Sequence, residues 1–101
     1  MRLLALQPVR NQELSFTLDG STWRIRIFRL LSRYGADVYR NDEPVTLGTC
    51  ISPNWPIIPF PFQRVNGDFV LGTPNGAELD HTQFGAAQNL YFLAPDEVPD
   101  V

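Results

Sequence analysis

The sequence predicts an all-β fold, a small antiparallel β-barrel or sandwich of about seven short strands. Three observations carry this expectation. Apolar residues recur with a period of two rather than that of a helix. Turn-forming residues return every 8–12 positions or so. No stretch long enough for a full helix shows an apolar stripe. The chain has 101 residues, of which 44% are hydrophobic and 12% aromatic. That is material for one core and one domain, and it excludes a wholly disordered chain.

Taken in order, Leu3–Leu6 is a short first strand. Glu13–Leu18 alternates cleanly and puts Leu14, Phe16 and Leu18 on one face. Asp19-Gly20 follows as a two-residue hairpin signal, since both residues tolerate positive φ. Ser21–Arg29 alternates again: Trp23, Ile25 and Ile27 share one face, and Arg24, Arg26 and Phe28 the other. Ser32–Gly35 reads as a turn, Ala36–Arg40 as a strand, Asn41–Pro44 as a polar turn and Val45–Ile51 as a further strand.

The middle of the chain breaks the rhythm. Residues 52–62 carry four prolines among Trp55, Ile57, Ile58, Phe60 and Phe62. Proline removes ladder donors and fixes φ, so a central strand is excluded. So apolar an extended segment either plugs one end of the core or docks on a neighbour. Asn66-Gly67 gives a second hairpin signal before a strand at Asp68–Gly72. Thr73–Asp80 reads as turn and loop, Gly85–Ala87 as small and irregular, and Gln88–Leu93 as the last strand. Residues 1–95 thus form a single domain with a Pro-rich loop at 52–62, and residues 96–101 a short, loose acidic tail.

Charge narrows the function. Eleven acidic residues oppose eight basic ones, for a formal charge of −3, and every basic residue is Arg. Arg and aromatics are enriched at protein interfaces and Lys is depleted; GC-rich coding, which disfavours Lys codons, is the competing explanation. Net acidity argues against sequence-independent nucleic-acid binding. A single cysteine, Cys50, excludes a disulfide framework and a multi-Cys zinc site. No apolar run is long enough to span a membrane, and Leu3–Leu6 is too short for a signal peptide's apolar region. A soluble, non-secreted domain is expected.

Catalytic parts are scarce. The one histidine, His81, stands between Asp80 and Thr82, and no serine carries a nucleophile-elbow signature. Cys50, in an apolar strand, is expected to be a buried, inert thiol. The carboxylate pairs Asp42-Glu43, Glu78/Asp80 and Asp96-Glu97 fall in turns or the tail, and no calcium or phosphate loop is complete. Catalytic, metal and cofactor sites are therefore expected to be absent. What stands out is Arg24, Arg26 and Arg29, read as a cationic stripe on one strand face, and the apolar anchors Trp55, Phe60 and Phe62. Contact with an acidic neighbour is favoured over nucleic acid for the arginines.

The order of landmarks is also familiar. Leu18-Asp-Gly-Ser-Thr-Trp-Arg-Ile-Arg-Ile27 is followed by Asp37-Val38-Tyr39, Glu43-Pro44-Val45, a strand containing Gly48 and a Pro-rich middle. Asn66-Gly-Asp-Phe-Val-Leu71, Phe84-Gly85 and Asn89-Leu-Tyr-Phe-Leu93 complete the series. Over residues 1–95 the chain resembles the baseplate plug family of small phage tail proteins. It departs from a generic member mainly at Pro53–Phe62, which is unusually aromatic.

The resemblance implies a non-enzymatic virion component in the baseplate of a contractile tail, near the hub and the end of the tube. Its implied partners are other baseplate, hub and tail-tube proteins and further copies of itself around the tail axis. It implies no cofactor, no membrane contact and no direct nucleic-acid contact, with assembly in the bacterial host cytoplasm. Two competing readings are a small β-barrel binding single-stranded nucleic acid, and a small enzyme or lectin-like ligand binder. The first needs more positive charge than the chain has, and the second a convergent polar pocket.

Overall fold

The computed structural model describes residues 1–18 and 20–98. Among them are seven strands: β1 (Arg2–Leu4), β2 (Gln12–Leu18), β3 (Ser21–Leu30), β4 (Arg33–Arg40), β5 (Glu43–Cys50), β6 (Asp68–Gly72) and β7 (Asn89–Leu93). They form two antiparallel sheets, one in the order β1-β7-β6 and the other β2-β3-β4-β5. The sheets stack as a sandwich and do not close into a barrel. Of the two expected architectures the sandwich is the one observed.

The alternation read from the sequence decides which face of each strand is buried. Trp23, Ile25 and Ile27 of β3 and Tyr34, Ala36 and Val38 of β4 point inward and are at most 3% exposed. Phe69 and Leu71 of β6 and Leu90 and Phe92 of β7 meet them from the other sheet. At the centre, the Phe69 and Phe92 rings lie 5.3 Å apart at 67°, and Trp23 packs 5.7 Å and 5.2 Å from them. Phe16 of β2 closes this cluster edge-on, 5.3 Å from Phe92. Such tilted aromatic pairs add about 0.5–1.5 kcal/mol each beyond the area they bury.

Two turns differ from the expectation. The β3–β4 connection is Leu31-Ser32, not Ser32–Gly35, and Leu31 takes φ 55° there. Gly35 lies inside β4, opposite Phe28, whose ring would sit 2.7 Å from any Cβ at that position. The glycine therefore serves close packing rather than a turn. Asn66-Gly67 does close a turn, with the Gly67 N–H 2.9 Å from the Arg64 carbonyl. It joins a 3-10 turn at Pro61–Gln63 to β6, so no hairpin forms. The reason lies upstream, where the prolines leave no strand for β6 to fold back on.

The turn expected over Asn41–Pro44 is shorter, because Glu43 and Pro44 already belong to β5. Asn41 and Asp42 both take positive φ (52° and 66°), as a two-residue hairpin loop requires, and Pro44 falls on an edge strand where its missing N–H costs no ladder bond. Leu18 and Ser21 flank the β2–β3 connection, but Asp19 lies outside the described residues. At the other end, Pro95–Glu97 forms a 3-10 turn, and the Glu97 carboxylate accepts from the Ala94 N–H at 2.9 Å and from the Met1 ammonium. Of the expected acidic tail, residues 99–101 lie outside the described residues.

Candidate interaction surface

The Pro-rich segment is buried in one part and exposed in another. Ile57 and Ile58 are buried in the core, whereas Trp55, Phe60 and Phe62 are 53%, 55% and 72% exposed. The segment lies along the edge of β6: Asn54 N–H bonds the Leu71 carbonyl and Ile57 N–H the Phe69 carbonyl, both at 2.9 Å. Asn54 tolerates φ 58° there, and its amide side chain exchanges hydrogen bonds with the Thr73 backbone at 2.8 and 3.1 Å. These contacts hold the loop without a regular strand.

A buried ion pair fixes the turn from inward to outward. Asp68 Oδ1 accepts from the Ile58 N–H at 2.9 Å, and Arg64 Nε donates to the Ile58 carbonyl at 2.7 Å. The two charges lie 3.2 Å apart, with Asp68 fully buried and Arg64 7% exposed. Burial pushes the Asp68 carboxyl above its ordinary value, against the Ile58 and Phe69 N–H donors and the Arg64 charge. Past this clasp the chain emerges. Phe60 and Phe62 stack at 5.8 Å, and Gln63 Nε2 ties the turn to the Val45 carbonyl at 2.9 Å. Arg64 is the only charged residue from 51 to 67 and is itself buried, so the exposed part of the loop is uncharged.

A second apolar stripe was not singled out by the sequence. Leu3, Tyr91 and Val70 line up across the outer face of the β1-β7-β6 sheet, with Pro56 bridged to Val70 at its side. Leu3 is 60% exposed. The signal was present in Asp68–Gly72 and Asn89–Leu93, where apolar residues stand at consecutive positions and both faces become apolar.

The arginines separate. Arg24 and Arg26 share the outer face of β3, as expected, but both are neutralised: Arg24 by Glu13 at 3.2 Å and Arg26 by Asp37 at 3.3 Å. Their guanidinium groups lie over the rings of Tyr39 (4.0 Å) and Phe28 (5.1 Å). Arg29 does not join this stripe, because its odd position puts it on the face of Trp23, Ile25 and Ile27. There it donates to the Leu31 carbonyl at 3.0 Å and the Tyr34 hydroxyl at 3.1 Å. The outer face is a compensated lattice of charge and aromatic ring.

A family model described as the cyanophage baseplate Pam3 plug gp18 matches residues 1–96. The chain belongs to this baseplate plug family. It is thus a structural protein of the phage baseplate, carried in the virion and in contact with other phage structural proteins. No curated protein matches the chain.

The residues capable of chemistry are placed apart or already engaged. Tyr34 Oη lies 3.0 Å from His81 Nδ1 and also accepts from the His81 backbone N–H at 3.0 Å and from Arg29. Since the hydroxyl's lone pairs serve those two donors, its own proton goes to Nδ1. His81 therefore links the 81–83 turn to β4. Cys50 is exposed rather than buried, because the outward phase at the end of β5 belongs to Cys50 and the inward phase to Ile51. It lines an open cleft of about 380 Å³ with Arg33, Tyr34, Ile51, Glu78 and Leu79. Asp80 caps the 81–83 turn through the Thr82 hydroxyl and N–H, which hold its carboxyl below the usual range. Among the described residues no three His, Cys, Asp or Glu side chains are grouped to hold a metal ion. Among the described residues no helix is long and apolar enough to cross a membrane.

Proposed function

We propose that this plug-family chain is a non-enzymatic assembly piece of a contractile-tail baseplate, seated near the hub and tube end. Its partners there are baseplate, hub and tail-tube proteins and other copies of the chain around the tail axis. It makes no direct contact with nucleic acid, and assembly takes place in the host cytoplasm. The observation that carries the reading is the exposure of three aromatic side chains, Trp55 and the stacked pair Phe60 and Phe62, on a loop held by a buried ion pair. Rigid aromatic anchors lose little entropy on docking and supply most of the energy of a typical interface. Arg24 and Arg26, each paired and stacked, supply register on a second face rather than a field that attracts polyanions.

The test is quantitative mass spectrometry of purified particles, calibrated against the major tube protein, with wild-type chain and with Trp55→Ala, Phe60→Ala and Phe62→Ala. A few to a dozen copies per particle, reduced or lost in the variants while the free chain stays folded, supports the reading. Incorporation and infectivity unchanged in all three variants removes the anchors. A ratio equal to the tube protein makes the chain a tube component instead.

A further inference from the structure

The strand edges of the sandwich are unequally protected. β1 is only three residues long. The edge of β6 is occupied by residues 54–57 through the Asn54 and Ile57 hydrogen bonds. β5 carries Pro44 and a register irregularity opposite Ala36–Tyr39, and Gln63 takes its Val45 carbonyl. These are the usual ways of blunting an edge. β2 has none of them: seven residues without proline or bulge, paired on one side only.

The register identifies which groups β2 leaves open. Thr22 sends its carbonyl away from β2, to the Asn41 N–H at 2.7 Å, so its partner Thr17 turns its own backbone groups outward. By alternation Ser15 and Glu13 do the same. Among the described residues no backbone group bonds to these three from outside the sheet. The inward row of β2, Leu14, Phe16 and Leu18, is only half-buried. Arg2, a flexible side chain, is what lies over the Phe16 ring at that opening.

We propose that β2 pairs antiparallel with β2 of a second copy, about a two-fold axis at Ser15. The argument for a second copy is self-complementarity. Centred on Ser15, the two strands overlap over all of Gln12–Leu18, with Glu13 opposite Thr17 and Leu14 opposite Phe16. The one charge of the strand meets a hydroxyl donor rather than its own copy, and the apolar row continues across the join. Residues 13, 15 and 17 then exchange about six main-chain hydrogen bonds. Centring on Glu13 sets carboxylates against each other, and centring on Thr17 loses most of the overlap. A head-to-tail contact from β2 to the next copy's β5 is obstructed by Pro44 and Gln63. The contact is therefore isologous, giving one eight-stranded sheet across two copies and an even copy number in a particle built from such pairs.

This inference specifies one contact within the self-association proposed above, and its test is independent of the baseplate reading. The full chain is run in sedimentation velocity over a concentration series, beside Ser15→Pro. Proline there removes an outward N–H and leaves the β3 ladder intact. The expected result is a wild-type dimer, with the variant at least about tenfold weaker in association. Ser15→Cys in a Cys50→Ser background, oxidised, should yield a covalent dimer, since directly opposed residues in such a pair lie about 5.5 Å apart. This second variant decides the matter if Ser15→Pro does not fold. A monomer at all concentrations, or a dimer with neither sensitivity to Ser15→Pro nor cross-linking at 15, overturns the pairing. Retained incorporation into particles in that event leaves the baseplate reading standing, whereas a cross-linked dimer absent from particles removes that reading and keeps the pairing.

Discussion

Arg64 and Asp68 grip the same residue from its two ends: the carboxylate takes the Ile58 N–H at 2.9 Å and the guanidinium bonds the Ile58 carbonyl at 2.7 Å. The pair is thus less a bond between two charges than a bracket around one segment of backbone. Removing one partner leaves the other charge buried. Asp68→Ala is expected to cost about 3–5 kcal/mol, a large share of a small domain's stability. Urea unfolding of the variant beside wild type measures it, and a loss below about 1 kcal/mol would show the bracket to be dispensable.

The same carboxyl has a distinct pH signature. Its folded pKa is raised, chiefly by burial, so between the ordinary carboxylate value and the raised one the folded state holds a proton that the unfolded state has released. Its contribution to stability is therefore present at low pH and falls as pH rises through the raised value. Asp68→Asn removes this titration. The stability of wild type relative to that variant should grow as pH is lowered from neutral into the carboxylate range. A relative stability that shrinks on acidification contradicts the assignment.

Tyr34→Phe deletes the hydroxyl on which Arg29, the His81 N–H and His81 Nδ1 converge. Donors left without partners at a part-buried site cost about 1–3 kcal/mol. The loss should be centred on the 81–83 turn, so amide exchange at Thr82 and Gln83 should accelerate more than exchange in β3. Uniform acceleration would mean that the network has no local role.

Gly67→Ala should be among the most damaging small substitutions. Gly67 has φ 124°, and a Cβ there would sit 2.5 Å from the Phe92 ring and 2.8 Å from the Leu93 carbonyl. Backbone strain and overpacking act together, for a loss of about 2–4 kcal/mol. Gly76→Ala, with nothing near its Cβ position, is the control for positive φ alone. Thermal unfolding of the two variants separates packing from strain.

The two tryptophans report separately on core and patch. Trp23 is 2% exposed and Trp55 53%. Acrylamide should quench two populations, and Trp55→Phe should abolish the accessible one while changing stability by less than about 0.5 kcal/mol. Quenching that remains biphasic in the variant contradicts the outward placement of Trp55.

Much of this architecture was legible because period-two alternation is enforced by burial. A one-residue slip in β3 would expose Trp23, Ile25 and Ile27 together, so the pattern and the fold agree. Turns were less legible. Gly35 reads as turn chemistry, yet its use is to admit the Phe28 ring, a cross-strand contact that local sequence does not encode. The 52–62 loop divides residue by residue because Asp68 and Arg64, beyond the loop itself, grip Ile58. Arg29 resembles Arg24 and Arg26 in composition alone, since alternation places it on the opposite face of β3. The neighbours of Cys50 suggest a core position, but the phase of β5 turns it outward.

The Ile58 bracket has a mechanical consequence. A pull on Phe60 or Phe62 travels only a few bonds before reaching a residue, Ile58, that is held at both its N–H and its carbonyl, and from there enters β6 and the aromatic centre of the sandwich. A load applied at the patch is thus shared with the folded body instead of being taken up by slack in a surface loop. Such stiffness lets a small subunit bear a load at this loop without unravelling, so single-molecule pulling at residue 60 should show one cooperative rupture, with no early extension of the loop.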